Sequence, residues 1–350
     1  MKATCKKYTL HFKRPSGTSR GVMTEKETWF LFLEDEGKTG IGECGLLRGL
    51  SIDDRPDYEE KLQWACHNIH LGKAPLWDAL LEFPSIQFGI EMAFLSLQSI
   101  TPFNLFPSSF TLGIEKMRIN GLVWMGDAAF MKSQIEEKLA QEFTCIKLKI
   151  GAIDFDKELE LLRYIRHNFD AKTIEIRVDA NGAFASHEAL DKLNQLAKFE
   201  LHSIEQPIQK NNVETMAVLC KSTPFPIALD EELIGVFGHS EKEALLQKIR
   251  PQYIILKPSL VGGFKGTLEW ITIAHSLNIG WWITSALESN IGLNAITQFT
   301  YTLQNPLPQG LGTGGLYTNN FPCPLEINSG YIQYNSSKNW DISSIGFHLQ

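Results

Sequence analysis

Six charged residues in the middle of the chain are spaced as scattered surface charges are not. Lys147 and Lys149 stand two apart, and Asp179, Glu205, Asp230 and Lys257 follow at intervals, counted from Lys147, of 32, 26, 25 and 27 residues. Each interval is close to one strand–helix unit. If each residue ends a strand of a parallel barrel, all six reach the C-terminal mouth, where barrel enzymes assemble their sites from several strand ends. A strand-end Asp or Lys taken alone is more often a solvated charge or a helix cap, but six in register form a ring. The contexts Val178-Asp179-Ala180-Asn181-Gly182 and Ile204-Glu205-Gln206-Pro207 support this, because each makes an apolar approach to a carboxylate and then breaks the strand.

Three carboxylates converging on one mouth repel one another unless a cation lies between them. Hard oxygen ligands with no His or Cys nearby suit Mg²⁺, with Mn²⁺ as a substitute, over zinc. Asp179, Glu205 and Asp230 are the candidate ligands, and three protein carboxylates leave octahedral positions for water and substrate. Lys147 and Lys149 share one face of their strand, so each charge is expected to depress the proton affinity of the other and so allow a neutral lysine base. Lys257, on the sixth strand of eight, stands across the ring from the second. A base on one side and a cation on the other can bracket an enolate.

The elements that must hold these residues can be read from periodicity. After Met117, short β-rich runs alternate with helical stretches: candidate strands at 119–124, 145–150, 174–179, 202–205, 227–230, 253–257 and 280–284, and a weaker one at 309–312. Eight at near-regular spacing predict a (β/α)₈-type barrel, in its modified (β/α)₇β form, over residues 116–315. Before it, strand-like patterning from Tyr8 to about Cys44, interrupted by a polar stretch at 15–20, precedes helical periodicity at 57–72 and 84–99. This predicts an α+β module over residues 1–115, completed by residues 316–350, which carry a possible strand at 331–334 and are expected to return and pack on it.

The 350-residue chain has a formal net charge of −7 and no basic run, which argues against nucleic acid or an anionic membrane surface as partner. No stretch reaches the roughly 18 uncharged apolar residues of a membrane helix, and the N-terminus carries no apolar segment of a secretory signal. The six cysteines lack the spacing of a zinc site or a disulfide framework and read as reduced thiols, which favours the cytoplasm. The oligomeric state stays open. Gly310-Leu311-Gly312-Thr313-Gly314-Gly315 satisfies the glycine pattern of dinucleotide sites, but no helix is expected after it. Trp281 and Trp282 are adjacent on a strand, so one should face the barrel interior and the other the helices, as core residues. The nine histidines show no H-E-x-x-H. A barrel that kept the ring of charges but only binds its ligand is the non-enzymatic alternative; it would show a missing base or ligand, and none is missing.

With these residues the sequence resembles the enolase superfamily, in the branch related to muconate-lactonising enzymes, over essentially the whole chain. The family's K-x-K is met by Lys147-Leu148-Lys149, its metal carboxylates by Asp179, Glu205 and Asp230, its sixth-strand lysine by Lys257, and its G-x-G-E motif by Gly40-Ile41-Gly42-Glu43. Within the branch, Ser285-Ala286-Leu287-Glu288-Ser289-Asn290-Ile291-Gly292-Leu293 is similar to the segment found in dehydratases of menaquinone biosynthesis, which aromatise a cyclohexadiene carboxylate bearing a succinyl chain. The resemblance implies that Lys149 takes the proton next to the carboxylate and Lys257 steadies the developing charge. It further implies that Asn181, Gly262, Gly263, Ser285 and Glu288 contact substrate, the glycines through backbone amides on the succinyl arm. The stretch 15–25 and the segment 46–50 are expected to close over the mouth. Racemisation of N-succinylamino acids or dipeptide epimerisation is the alternative on this scaffold; against the epimerase, Leu311-Gly312-Thr313-Gly314-Gly315 carries no Asp-rich motif on the eighth strand.

Overall fold

The protein is described here by a computed structural model covering residues 1–18 and 21–346. It opens with a three-stranded antiparallel sheet of β1 (Lys2–Thr18), β2 (Gly21–Asp35) and β3 (Lys38–Gly45), followed by α1 (Tyr58–His67), α2 (Lys73–Ala79) and α3 (Pro84–Gln98). α3 lies on β3 at a distance only glycine allows: a Cβ on Gly42 would come within 1.9 Å of the Gly89 carbonyl oxygen, and one on Gly40 within 2.3 Å of that of Ala93. The two expected helical stretches hold α1 and α3. α2 went unread, being seven residues long with a proline in its first turn.

The stretch expected as a polar loop around residues 15–25 is instead the far end of a long hairpin. Regular pairing runs from Lys2↔Glu34 to His11↔Glu25, slips, and resumes at Ser16↔Met23 through Thr18↔Gly21. Main-chain pairing needs no apolar alternation, so polarity alone concealed it. Ser19 and Arg20 lie outside the described residues.

After β4 (Lys116–Arg118), strands and helices alternate: β5 (Gly121–Val123), α4 (Ala128–Ala140), β6 (Cys145–Lys149), α5 (Phe155–Asn168), β7 (Glu175–Asp179), α6 (Ala189–Leu196), β8 (Ser203–Glu205), α7 (Val213–Ser222), β9 (Ile227–Leu229), α8 (His239–Ile249), β10 (Tyr253–Leu256), α9 (Gly263–Ser276), β11 (Gly280–Ile283) and α10 (Asn290–Thr302). β5 to β11 form one sheet in chain order, each strand parallel to its neighbours. Each strand falls within its expected segment.

The eighth position is not a regular strand. Gln309 bridges Ile119 and Gly310 bridges Thr284, both in parallel, so two residues close the ring between the first and seventh strands. Side-chain caps start several helices: Asp127 accepts from Phe130 N, Asp154 from Asp156 N, and Ser289 from Ile291 N. Both tryptophans are buried. Trp281 donates to His275 of α9 at 2.9 Å, whereas Trp282 packs with Ala228 and Ile255 and lies under the Arg177 guanidinium.

The chain end forms β12 (Leu325–Asn328) and β13 (Tyr331–Tyr334), and β13 pairs with β4. Residues before it return to the N-terminal sheet. Lys13 N donates to Leu316 O at 2.8 Å, and Phe321 packs against Tyr8 and Phe30.

Candidate active site

Parallel register brings the chemistry together. Lys149 is paired directly with Asp179, and Asp179 with Glu205, so the three stand side by side on one rung at the strand ends. Asp230 and Lys257 immediately follow β9 and β10. Lys147, two residues before Lys149, shares its face. Lys149 Nζ donates to Asp179 Oδ2 at 2.9 Å and to Asn181 Oδ1 at 2.6 Å. Lys147 Nζ lies 3.0 Å from Asp179 Oδ2 and also donates to Glu205 Oε2, while Lys257 Nζ donates to Asp230 Oδ2. All six of these lysines and carboxylates are buried or nearly so.

The charges are mutually compensating. Burial opposes ionisation of Asp179, but Lys147 and Lys149 outweigh it and hold the carboxyl far below the usual range. Burial likewise opposes ionisation of Asp230, and Lys257 overcomes it. Glu205 goes the other way: burial, reinforced by the charge of Asp179, lifts it well above an ordinary glutamate. The expectation that the paired lysines would lower each other's proton affinity is not met at Lys147. Burial alone would lower it, but Asp179, Glu205 and Asp230 raise it, because three carboxylates surround an ammonium that has a single like-charged neighbour on its strand.

Among the described residues no three His, Cys, Asp or Glu side chains are drawn together as a ready-made metal cluster. The ring carboxylates are turned to lysine ammoniums instead. One acceptor is left over: Glu205 Oε1 is buried and has no hydrogen-bond partner.

Above the ring lies a cavity of about 290 Å³, near the lower end for small-molecule sites. Its floor includes Lys147, Lys149, Asp179, Glu205 and Lys257. Its upper walls are mostly apolar, with Val22 and Met23 from the hairpin end, Leu47 and Leu50 from the segment after β3, and Trp124 from the barrel, joined by one cation, Arg48. Both segments expected to close the mouth thus reach it. A polar side is made by Asn120, Ser285 and Thr313, the last two hydrogen-bonded hydroxyl to hydroxyl at 2.7 Å.

Of the residues expected to contact substrate, Asn181 and Ser285 line the cavity, and Gly262, Gly263 and Glu288 do not. The glycines belong to the contact of α2 and α3 with the start of α9: the Gly262 carbonyl accepts from Trp77 Nε1 of α2 at 3.0 Å, and a Cβ on Gly263 would lie 2.1 Å from Glu91 Oε2 of α3. Glu288 turns away from the cavity, accepting from Ser259 Oγ and from Ala286 N at 2.8 Å.

Sequence reasoning missed Gln206. It is fully buried with φ 40°, its Oε1 accepts from Asp230 N at 3.2 Å and its Nε2 donates to Glu232 Oε2 at 3.0 Å, so it fixes the backbone under Asp230. The Gln-Pro pair after Glu205 was the available signal. Also missed were two long-range caps. Glu43 accepts from Ser289 N at 2.9 Å and Gly292 N at 2.8 Å at the start of α10, and Glu91 accepts from Phe264 N and Lys265 N at the start of α9. Glutamates of the N-terminal module thereby satisfy amides that helix starts leave unpaired.

Residues 130–338 match the family described as Enolase C-terminal domain-like. The o-succinylbenzoate synthase of Desulfotalea psychrophila is 46% identical, the match covering 95% of this chain and 98% of that one. The crystal structure of MenC from the same organism superposes with a TM-score of 0.85 at 43% identity, over 95% of this chain and 99% of that one. The muconate lactonizing enzyme of Pseudomonas fluorescens, at 23% identity, shares the fold with a TM-score of 0.80 over 99% and 98% of the two chains.

Proposed function

The chain belongs to the Enolase C-terminal domain-like family, and from that premise we propose that it is an o-succinylbenzoate synthase. It dehydrates 2-succinyl-6-hydroxy-2,4-cyclohexadiene-1-carboxylate to 2-succinylbenzoate. The observation that carries the reading is the rung Lys149–Asp179–Glu205 beneath the cavity, with Lys257 on the strand across the ring. In this reading residues 116–315 are the catalytic barrel, and residues 1–115 with 316–350 cap it.

Asp179, Glu205 and Asp230 are the residues to hold Mg²⁺ or Mn²⁺. The donor set fits a hard cation, and the buried, unpartnered Oε1 of Glu205 is the kind of acceptor such an ion satisfies. Bound there, the ion supplies positive charge to the substrate carboxylate, makes the adjacent C–H more acidic, and takes over the carboxylate charge that the lysine ammoniums now neutralise.

Lys149 Nζ takes the proton from the carbon bearing the carboxylate. A lysine base is the pattern the superfamily is known for. Lys257, opposite, steadies the negative charge, and Lys147 keeps Asp179 and Glu205 in place. The proton held by Lys149 then joins the departing hydroxyl, so that water leaves and the ring becomes aromatic. Val22, Met23, Leu47, Leu50 and Trp124 keep bulk water from the reacting face. The eighth segment offers the cavity Gly310, Gly312 and Thr313, with no carboxylate to hold a dipeptide's ammonium.

No helix among the described residues is long and apolar enough to cross a membrane. We place the enzyme in the cytoplasm, acting on a small carboxylate without nucleic acid or membrane partners.

The test is Mg²⁺-dependent loss of cyclohexadiene absorbance, run beside Lys149→Ala and beside racemisation of N-succinylamino acids. Dehydration abolished by the substitution and by chelator, with negligible racemisation, is expected. Absence of dehydration, with metal-dependent α-proton exchange on another carboxylate, overturns the substrate assignment.

A further inference from the structure

Lys149 Nζ has two acceptors of different kinds: a carboxylate oxygen, Asp179 Oδ2 at 2.9 Å, and an amide oxygen, Asn181 Oδ1 at 2.6 Å. Asp179 belongs to the set that fits a hard cation, and an ion bound there competes with the ammonium for the same oxygens. Asn181 is uncharged and stands outside that set. It is therefore the partner that Lys149 keeps when the carboxylates are occupied.

The amide is oriented by the chemistry at both of its ends. An ammonium only donates, so the side that meets Lys149 must be the oxygen. The NH₂ then faces the other way, where it donates to Glu231 Oε1 at 3.0 Å. Glu231 is 5% exposed and follows Asp230 directly. Turning the amide over would set N–H against ammonium and oxygen against carboxylate, so Glu231 fixes which atom Lys149 meets.

The backbone brings this side chain back over the strand end. Asn181 has φ 44°, in the left-handed region that Asn enters more readily than most residues, and Gly182 follows at φ 78°. Asn181 N donates to Asp179 Oδ1 at 3.0 Å, and Gly182 N to the Gln206 carbonyl at 2.7 Å. The turn is thus held both by the strand it leaves and by the neighbouring loop after Glu205.

A neutral acceptor suits a base. At Lys147 burial favours loss of the proton, but three carboxylates outweigh it and hold the proton on. An amide oxygen accepts an N–H of an amine as well as one of an ammonium. The contact with Asn181 can therefore persist while Lys149 takes and gives up a proton, and the lone pair of the amine is left to the substrate.

We propose that Asn181 is a positioning residue for the base: its amide, locked by Glu231, holds Lys149 Nζ at the cavity floor in both of its protonation states. This rests on the reading of Lys149 as the base. Asn181 lines the cavity, but the role assigned to it is exercised through Lys149 and not by contact with substrate.

The test is Asn181→Gly, because Gly adopts φ 44° freely and only the side chain is lost, with Asn181→Ala as the second variant should the first not fold. Steady-state dehydration should lose about a hundredfold in kcat, the scale of a misplaced reacting group, with KM within about threefold of wild type. Affinity for 2-succinylbenzoate, read by calorimetry, should also stay within about threefold. In crystals of the metal-free variant, Lys149 Nζ should leave its wild-type position by more than about 1 Å. In a Lys149→Ala background the same substitution should cost nothing further in the residual rate, since the group it serves is gone. An unmoved Lys149, or a loss that appears in KM and product affinity with kcat kept, overturns the proposal and makes Asn181 a substrate contact. Should the wild-type protein not dehydrate the cyclohexadiene at all, the function reading fails on its own, and the position of Lys149 in the variant crystals still decides the role of Asn181.

Discussion

Replacing Glu91 by Gln isolates the energetic cost of keeping a carboxylate where the N-terminal module meets α9. Glu91 is 6% exposed and accepts from the amides of Phe264 and Lys265. Burial pushes its carboxyl up to about 7, although those two amides, Lys73 and Lys265 all pull it down. The rise from 4.5 to about 7 corresponds to about 3 kcal/mol of preference for the protonated form in the folded state. Because the folded value lies above the unfolded one, this stabilisation is complete below pH 4.5 and is lost as pH climbs through 7. Gln keeps the shape and a carbonyl acceptor for the amides but does not titrate.

Unfolding free energies from urea titrations at several pH values should therefore show the variant and wild type close together near pH 4.5. The variant should become the more stable, by about 3 kcal/mol, above about pH 7.5. Asp53 and Glu158, raised by burial to about 6 and about 7, destabilise both proteins over the same window, so the difference between the two curves is the diagnostic quantity. A gap that does not change with pH, or one that favours wild type at high pH, would refute the reasoning. It would mean that the amides at the helix start outweigh desolvation.

Two further outcomes follow from contacts at the other side of the fold and at the ring. Gly42→Ala places a methyl within 1.9 Å of the Gly89 carbonyl oxygen, in a sheet–helix contact with no flexible side chain to move aside. We expect a loss of about 3 kcal/mol or more, read as a lowered thermal midpoint, and an unchanged midpoint would show that α3 can slide. Glu205→Gln neutralises a carboxyl that burial and Asp179 already disfavour as an anion. The metal-free protein should keep its thermal midpoint while Mg²⁺-dependent dehydration falls by at least about a hundredfold; a variant that keeps its activity would remove Glu205 from the ligand set.

The ring of charges was legible because the barrel imposes its own period. Lys147 to Lys257 repeat at the length of a βα unit, and parallel register then needs no further information to set Lys149, Asp179 and Glu205 on one rung. The closing strand was barely legible because closure takes only two bridging residues, Gln309 and Gly310, too few for any alternation to show. Glu288, Gly262 and Gly263 were expected at the substrate, and they do not line the cavity. Sequence locates a loop, whereas whether its residues reach the cavity depends on partners such as Ser259 and Trp77 that are distant in the chain.

The G-x-G-E motif shows the difference most fully. In the sequence it is a pattern to be matched, without a cause. In the structure Gly40 and Gly42 let α3 lie on β3, and Glu43 then reaches the amides that open α10, 246 residues away in the chain at Ser289. The glycines set the separation at which a glutamate on this sheet can cap a barrel helix, and the capped helix begins directly after the Ser285–Leu287 wall of the cavity. The motif thus governs the site without touching it. No local reading of residues 40–43 could have disclosed that, since both of its contacts are made with segments remote in the sequence.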